Sequence, residues 1–428
     1  MSCHFKIFSI LSCVLLLLIT PNLSYSDQRL IHAAMTFGEK IRLNHHSKAV
    51  SGPAIQIDGS GTRHLAWIEG GKDRHELYYV SLVSGANIFP EPIHVNKQSP
   101  GVAALHQSPG LALGPENRVY LSWSSPDPQS QGNPFASLLQ LSTSHKKAAS
   151  FDPPVMINDD TSPTSHSFDN LCVDKQGTVH LGWIDSREGR NNPKTYVTRL
   201  VSPAKSVEKN ISLEGHACVC CRTSLTTAPD GSIYIAWRQV IDDKFRETVV
   251  ARSVDGGKTY SSPVVVGPDR WNFDGCPHRP ASIAVDGQGR LYVTWYTEGP
   301  DDVPGIYIAM SDDHGKSFSP RTMLNQSKGT FPDKPQMAVD SYGRVTVVWE
   351  ELSPVRREIF VRHSSDRGSS FSAPQRLNEA KGQHPAIAIN RQGEGAMTWI
   401  EHAFPDNIMI IQPFTLPQVV AQIQPSRE

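Results

Sequence analysis

Apolar and polar positions alternate along this chain in short runs, and the runs recur in a fixed order. The clearest unit spans residues 53–67. It alternates through Ile55 and Ile57, turns at Asp58-Gly59-Ser60-Gly61, and alternates again into Trp67. Altered copies end at Trp123, Trp183, Trp237, Trp295, Trp349 and Trp399, so seven of the eight tryptophans share one column and only Trp271 lies outside it. Successive copies are 50 to 60 residues apart. Alternation on both sides of a short Asp/Asn/Gly turn predicts a β-hairpin, because neighbouring side chains of a strand face opposite ways. No segment sustains a 3.6-residue period, which excludes a helical solenoid.

Each Trp is followed by a polar loop, a third alternating segment such as residues 305–310, and a fourth such as residues 321–325. Four strands per unit, seven times over, predict an all-β fold: a seven-bladed β-propeller of four-stranded blades across residues 37–414. One blade cannot cover both its faces, so the copies must stack in a ring, with the Trp filling the wedge between neighbours. The last copy offers a third strand at residues 408–411 and no clear fourth. Upstream of the first copy, Glu39-Lys-Ile-Arg-Leu-Asn44 matches the fourth-strand segments that end at Asn325 and Asn378. Residues 37–44 are therefore expected to complete the seventh blade and remove its open edge. Residues 415–428 read as a C-terminal tail.

The start of the chain has a different pattern. Lys6, the apolar residues 7–19 and Ser24-Tyr25-Ser26 read as the n-region, h-region and cleavage site of a Sec-type signal peptide over residues 1–26. A signal anchor is the alternative, and the run is short for one. The mature chain is expected to be secreted or periplasmic, without a transmembrane span, where disulfides are permitted. Lys+Arg 41 against Asp+Glu 42, with no block of like charge, argues against a nucleic-acid partner. Gly 31 and Pro 32 suit many turns, and a single monomeric propeller of about 400 residues is expected.

Three copies carry a further motif: Ser253-Val-Asp255-Gly-Gly257-Lys-Thr-Tyr260, Ser311-Asp-Asp313-His-Gly315-Lys-Ser-Phe318 and Ser364-Ser-Asp366-Arg-Gly368-Ser-Ser-Phe371. The shared Ser-x-Asp-x-Gly-x-Ser/Thr-aromatic pattern resembles the Asp box of the sialidase-like, BNR-repeat propellers. The resemblance implies a structural turn on the side of the blade away from the ligand-binding mouth. It also raises exo-sialidase-like hydrolysis of anionic sugars, which in that family needs three arginines on the substrate carboxylate, a Tyr nucleophile paired with an acid, and an Asp acid/base. The Arg-Ile-Pro or Arg-Leu-Pro motif that supplies one arginine is absent; Arg42 stands in Lys-Ile-Arg-Leu-Asn. The remaining catalytic candidates are Arg222, Arg238 and Arg279 in expected mouth loops, Tyr296 with Glu298, and Asp274. Solvated loop residues are the plainer reading of all of these.

The links between blades are expected to open on that mouth, and they hold the candidate metal chemistry. Aligned on Leu111, Leu171, Leu225 and Ile283, four links place His106, His166, Cys220 and His278 five residues upstream; the other three have Pro332, Gly382 and Val50. Cys3 and Cys13 leave with the leader, and Cys172 falls in an inner strand as a buried thiol. Cys218, Cys220 and Cys221 follow His216 in one link, and Cys276 precedes His278 in the next. Two readings stay open. Disulfides would tie Cys276 to the Cys218–Cys221 loop. Alternatively, thiolates and imidazoles from these residues would hold copper or zinc. Either reading requires one local unit. Three functions follow: a binding propeller with a small-molecule, glycan or metal ligand in its mouth, a sialidase-like glycosidase, or a scaffold for a protein partner.

Overall fold

The computed structural model describes residues 35–43, 49–71, 74–103, 107–130, 132–145, 150–201, 206–300, 302–325, 329–403 and 406–416. The leader, Asn44, His106 and the tail beyond residue 416 lie outside that set. Seven antiparallel sheets, each with at least four strands, make seven blades. The inner strands are Val50–Ile57, Gly110–Leu113, His166–Val173, Ser224–Thr227, Ser282–Val285, Phe331–Val339 and Lys381–Ile389. Each touches the next around a central axis, the last against the first. Each pairs with the strand that carries the column Trp, from Arg63–Gly70 in blade one to Glu394–Ala403 in blade seven.

Local chemistry explains the hairpins. In five of them an Asp or Asn side chain closes the turn, accepting backbone N–H bonds from the residues two and four further on. These are Asp58, Asp174, Asp286, Asp340 and Asn390. Such Asx geometry fixes the reversal without calling on the sheet ladder. The fourth strands end at an Asn whose side-chain oxygen accepts a third-strand N–H, as in Asn96 to Leu77, Asn158 to Leu139, Asn325 to Ile306 and Asn378 to Ile359.

Seven hydrophobic clusters lie between the seven pairs of neighbouring blades, and each contains one Trp of the column. All eight tryptophans are fully buried. The indole N–H would be orphaned there, and an acid two residues further along the strand accepts it in four blades: Glu69, Asp185, Glu351 and Glu401. In blade five Asp269 accepts from Trp295.

Closure follows the expected clasp. Ile41–Leu43 pairs with Met409–Ile411, and Thr36–Phe37 pairs with Phe414 and Thr415 of the last strand, Asp406–Thr415. That strand runs four residues past the expected third-strand end at 411 and through Pro413, whose carbonyl accepts Gly38 N–H at 2.9 Å. The three Ser-x-Asp-x-Gly turns share one geometry. The Asp carboxylate takes the N–H and hydroxyl of the Ser or Thr four residues on, and the first Ser oxygen takes the motif glycine N–H. Apart from a 3₁₀ turn at Pro115–Asn117, the described residues form no helix, and none is long and apolar enough to cross a membrane.

Two outcomes are expected. Trp349→Ala should cost about 3–5 kcal/mol, read as a lower denaturant midpoint, because a sealed inter-blade wedge is emptied and Glu351 loses one of its two donors. Ile41→Asp should lower the midpoint and speed amide exchange at residues 408–411 while blades three to five keep their protection.

Candidate functional site

The mouth owes its shape to a repeated irregularity. Four inner strands shift register near their starts, between Ser51 and Ala54, Ser167 and Asn170, Asp333 and Gln336, and Gln383 and Ala386. The residue at each shift has a left-handed backbone: Gly52 at φ 57°, Phe168 at 60°, Lys334 at 48° and His384 at 54°. Proline follows in three of the four, at positions where the pairing has already lapsed and no N–H is needed. A bulge re-aims side chains, and Phe168, Lys334 and His384 line a cavity of about 520 Å³ bounded by all seven blades. Gln56, Asn170, Arg222 and His278 add polar groups to its wall.

On one side of that wall the cysteines gather. Cys218 N–H bonds to Arg238 O at 2.8 Å, and a tight turn brings Cys221 back over Cys218. The Cys218 and Cys221 sulfurs lie 3.6 Å apart, and those of Cys218 and Cys220 4.0 Å apart. The next link adds two further donors, so that the ligand atoms of Cys220, Cys276 and His278 fall within 4.8 Å of one another, as do those of Cys218, Cys220 and Cys221. Cys218, Cys220 and Cys221 are buried with Val240 under Phe168, while Cys276 and His278 are exposed. The Phe168 and His278 rings meet at 5.8 Å, and both residues have left-handed backbones. Strain at two facing non-glycine residues is the kind that persists where a site over-determines it.

All five described cysteines are thiols. Thiolates 2.3 Å from a shared tetrahedral ion lie about 3.8 Å apart, close to the separations found here, whereas bonded sulfurs lie about 2.05 Å apart. The trio is electrostatically uneven. Hydrogen bonds from Cys220 and Cys221, with Arg238 nearby, bring Cys218 down to about 3 against its burial. Burial, with the Cys218 charge, pushes Cys221 up to about 12. Of the three thiols Cys218 is thus the most readily ionised, as a ligand for a soft cation needs to be. Cys172 sits apart, buried between the inner strands of blades three and four.

The other candidates divide. His106 lies outside the described residues. His166 is remote from the cysteine cluster in its bonding, with both ring nitrogens engaged. Nδ1–H donates to Ser137 O at 2.5 Å and Nε2–H to Asp160 at 2.8 Å, with Asp185 3.7 Å away. Arg187 joins Asp159, Asp160 and Asp185 beside it. The shared column misleads because blade three starts its inner strand at His166, which pairs with Asp185, whereas blades four and five start later and leave Cys220 and His278 in the links. His216 faces Asp243 at 3.8 Å, outside both ligand groups.

The arginines are not solvated loop residues. Arg238 is buried on strand Ile233–Ile241, 5.0 Å from the Trp271 ring, donating to Tyr296 O at 2.7 Å. Arg279 stacks on Tyr296 at 3.8 Å and donates to Pro332 O. Arg222 reaches the mouth and donates to Asp169 O at 2.5 Å; the Asp169 carboxylate takes Ser122 Oγ–H at 2.5 Å. Tyr296 does donate to Glu298 at 2.6 Å, but the ring is wholly buried on strand Leu291–Thr297 between Arg279 and Trp271. Burial raises its hydroxyl above the usual tyrosine range, more than the Arg279 charge lowers it. Asp274 is exposed on the link before Cys276. The mouth residues Asp169, Lys334 and His384 carried no motif; for Lys334 and His384 the signal available was the proline that follows, and Asp169 had none.

No family model matches the chain, and no curated protein matches it in sequence. Solved structures do. A protein of unknown function from Dyadobacter fermentans superposes with a TM-score of 0.56 at 13% identity, over 90% of this chain and 99% of that one. A polysaccharide lyase gives 0.58 at 11% identity, over 89% and 100%. An α-L-arabinanase from Penicillium chrysogenum gives 0.50 at 13%, over 89% and 99%. Sialidases are among the further matches. The chain has the fold of these solved structures, here a seven-bladed propeller. In this propeller the mouth is lined by the bulged inner strands and walled on one side by thiols.

The His166 network carries a pH signature. Burial opposes charging of the ring, but Asp160, Asp185 and the Ser137 carbonyl together raise its proton affinity. A raised histidine contributes its full stability below its unfolded value of about 6.5 and loses it as pH rises through the folded value. His166→Gln should therefore lower stability most at pH 5–6 and flatten the loss on the alkaline side, measured by urea midpoints across pH.

Proposed function

We propose that this protein is an exported sialidase-like propeller that binds a small-molecule or glycan ligand in its central mouth, beside a thiolate–imidazole centre for a soft metal ion. One observation carries the reading: Cys220 lines the mouth and belongs to both sets of convergent ligand atoms. A cavity of about 520 Å³ with a few polar groups suits a ligand of modest size. The leader-like residues 1–26 support export. The polysaccharide lyase and arabinanase with this fold support a sugar as ligand, although fold alone does not transmit chemistry. The burial of Tyr296 and Arg238 speaks against a sialidase-type catalytic set.

The metal assignment is tested by elemental analysis of the mature chain together with thiol titration under denaturing conditions. Retained copper or zinc with four or five titratable thiols is expected, and Cys220→Ser should lower retained metal by more than about tenfold. No metal and a single titratable thiol would mean two disulfides instead. Hydrolysis of an anionic sugar is the second reading, favoured by Arg222 at the mouth. A fluorogenic sialoside should show no turnover; turnover that disappears in Arg222→Ala would establish the hydrolase.

A further inference from the structure

The two ligand groups have unequal surroundings and one atom in common. The inner group, Cys218, Cys220 and Cys221, is sealed beneath Phe168. The outer group, Cys220, Cys276 and His278, opens to solvent. Five donors arranged as two triads with a shared sulfur obey a simple coordination arithmetic. Two tetrahedral ions bridged by one thiolate need seven donors; two three-coordinate ions bridged the same way need five. Zinc in protein sites is almost always four-coordinate, so it would use one position and leave a donor over. Copper(I), soft and content with three thiolate or imidazole donors, fills both.

We infer that the mouth holds a dinuclear copper(I) centre. One ion sits in the buried Cys218/Cys220/Cys221 triad, the second in the exposed Cys220/Cys276/His278 triad, and the Cys220 sulfur bridges them. This rests on the metal reading above and refines it in identity and number. The division of labour is built in: the outer triad is the point of entry, reachable by a copper(I) donor in solution, and the inner triad is the point of retention. Phe168 packs over the inner cysteines, and of the three only Cys220 lines the mouth, so exchange of the inner ion must pass through the bridging cysteine. The two links that supply the donors come from adjacent blades, so filling the site also ties blade four to blade five.

The test uses the reduced mature chain, loaded anaerobically with a copper(I)–acetonitrile salt or with zinc, desalted, and analysed for metal per chain and by copper X-ray absorption. Two coppers per chain, three-coordinate with sulfur and one nitrogen donor and a copper–copper scattering path, are expected, against one zinc. Cys276→Ser and His278→Gln alter exposed residues and leave the core intact. Each should lose one of the two coppers, and the retained ion should have sulfur donors alone. A single copper without a copper–copper path, or two coppers retained in both variants, overturns the dinuclear centre while leaving a mononuclear mouth site standing. No metal retained by the folded, fully reduced chain overturns both.

Discussion

Everything in this molecule depends on sheets stacking face to face around an axis. A four-stranded blade has two apolar faces and no partner of its own, so its strands are stable only when both neighbours are present. The column tryptophans make that stacking specific. Each fills the wedge between two blades, and in four blades its N–H is aimed at a carboxylate on the same strand, so that a large ring is buried without leaving a polar atom stranded. Trp123, whose blade has Ser125 at that position, has no partner for its nitrogen among the described residues, and blades four and five have Gln239 and Thr297 there, Trp295 turning to Asp269 instead.

Because the ring is rigid, small departures at one rim become a site. In blades one, three, six and seven the inner strands pair regularly towards the turns closed by Asp58, Asp174, Asp340 and Asn390, but at the other end they bulge. The same backbone device places a glycine in blade one, an aromatic in blade three, a lysine in blade six and a histidine in blade seven. Identical geometry with different side chains is how a repetitive scaffold makes an asymmetric pocket. Most charges there are matched locally: Arg279 by Asp333, and Lys334 by Glu350. The cysteines of blades four and five are the feature without a structural counterpart elsewhere in the ring.

The blades, their number and the clasp were legible in the sequence because strand alternation, the Trp column and the Leu-Asn endings are all local and repeat in phase. The nearness of Cys276 to Cys220 was legible too, since consecutive inter-blade links open on one rim. What one sequence could not show was where each inner strand begins. His166 and Cys220 are equivalent in alignment, yet one is held inside a sheet by Asp185 and the other lies in a turn. Nor could it show that Trp271, in a stretch without periodicity, folds over Tyr296 and Arg238 and removes them from the mouth. Burial is a property of neighbours, and those neighbours lie far away along the chain.

The clasp between Ile41–Leu43 and Met409–Ile411 has a kinetic consequence. Gln412 donates to Gly38 O across 374 residues of chain, so the strand made early has no partner until nearly all of the propeller has been synthesised. Blades one to six can assemble in order as they emerge, each on the one before, but the ring stays an open arc with two unpaired faces until the last strand arrives. Closing the circle is therefore a single late event that joins the oldest and youngest parts of the polypeptide. Premature release of the chain leaves an arc, and an arc with two sticky faces adds copies of itself end to end.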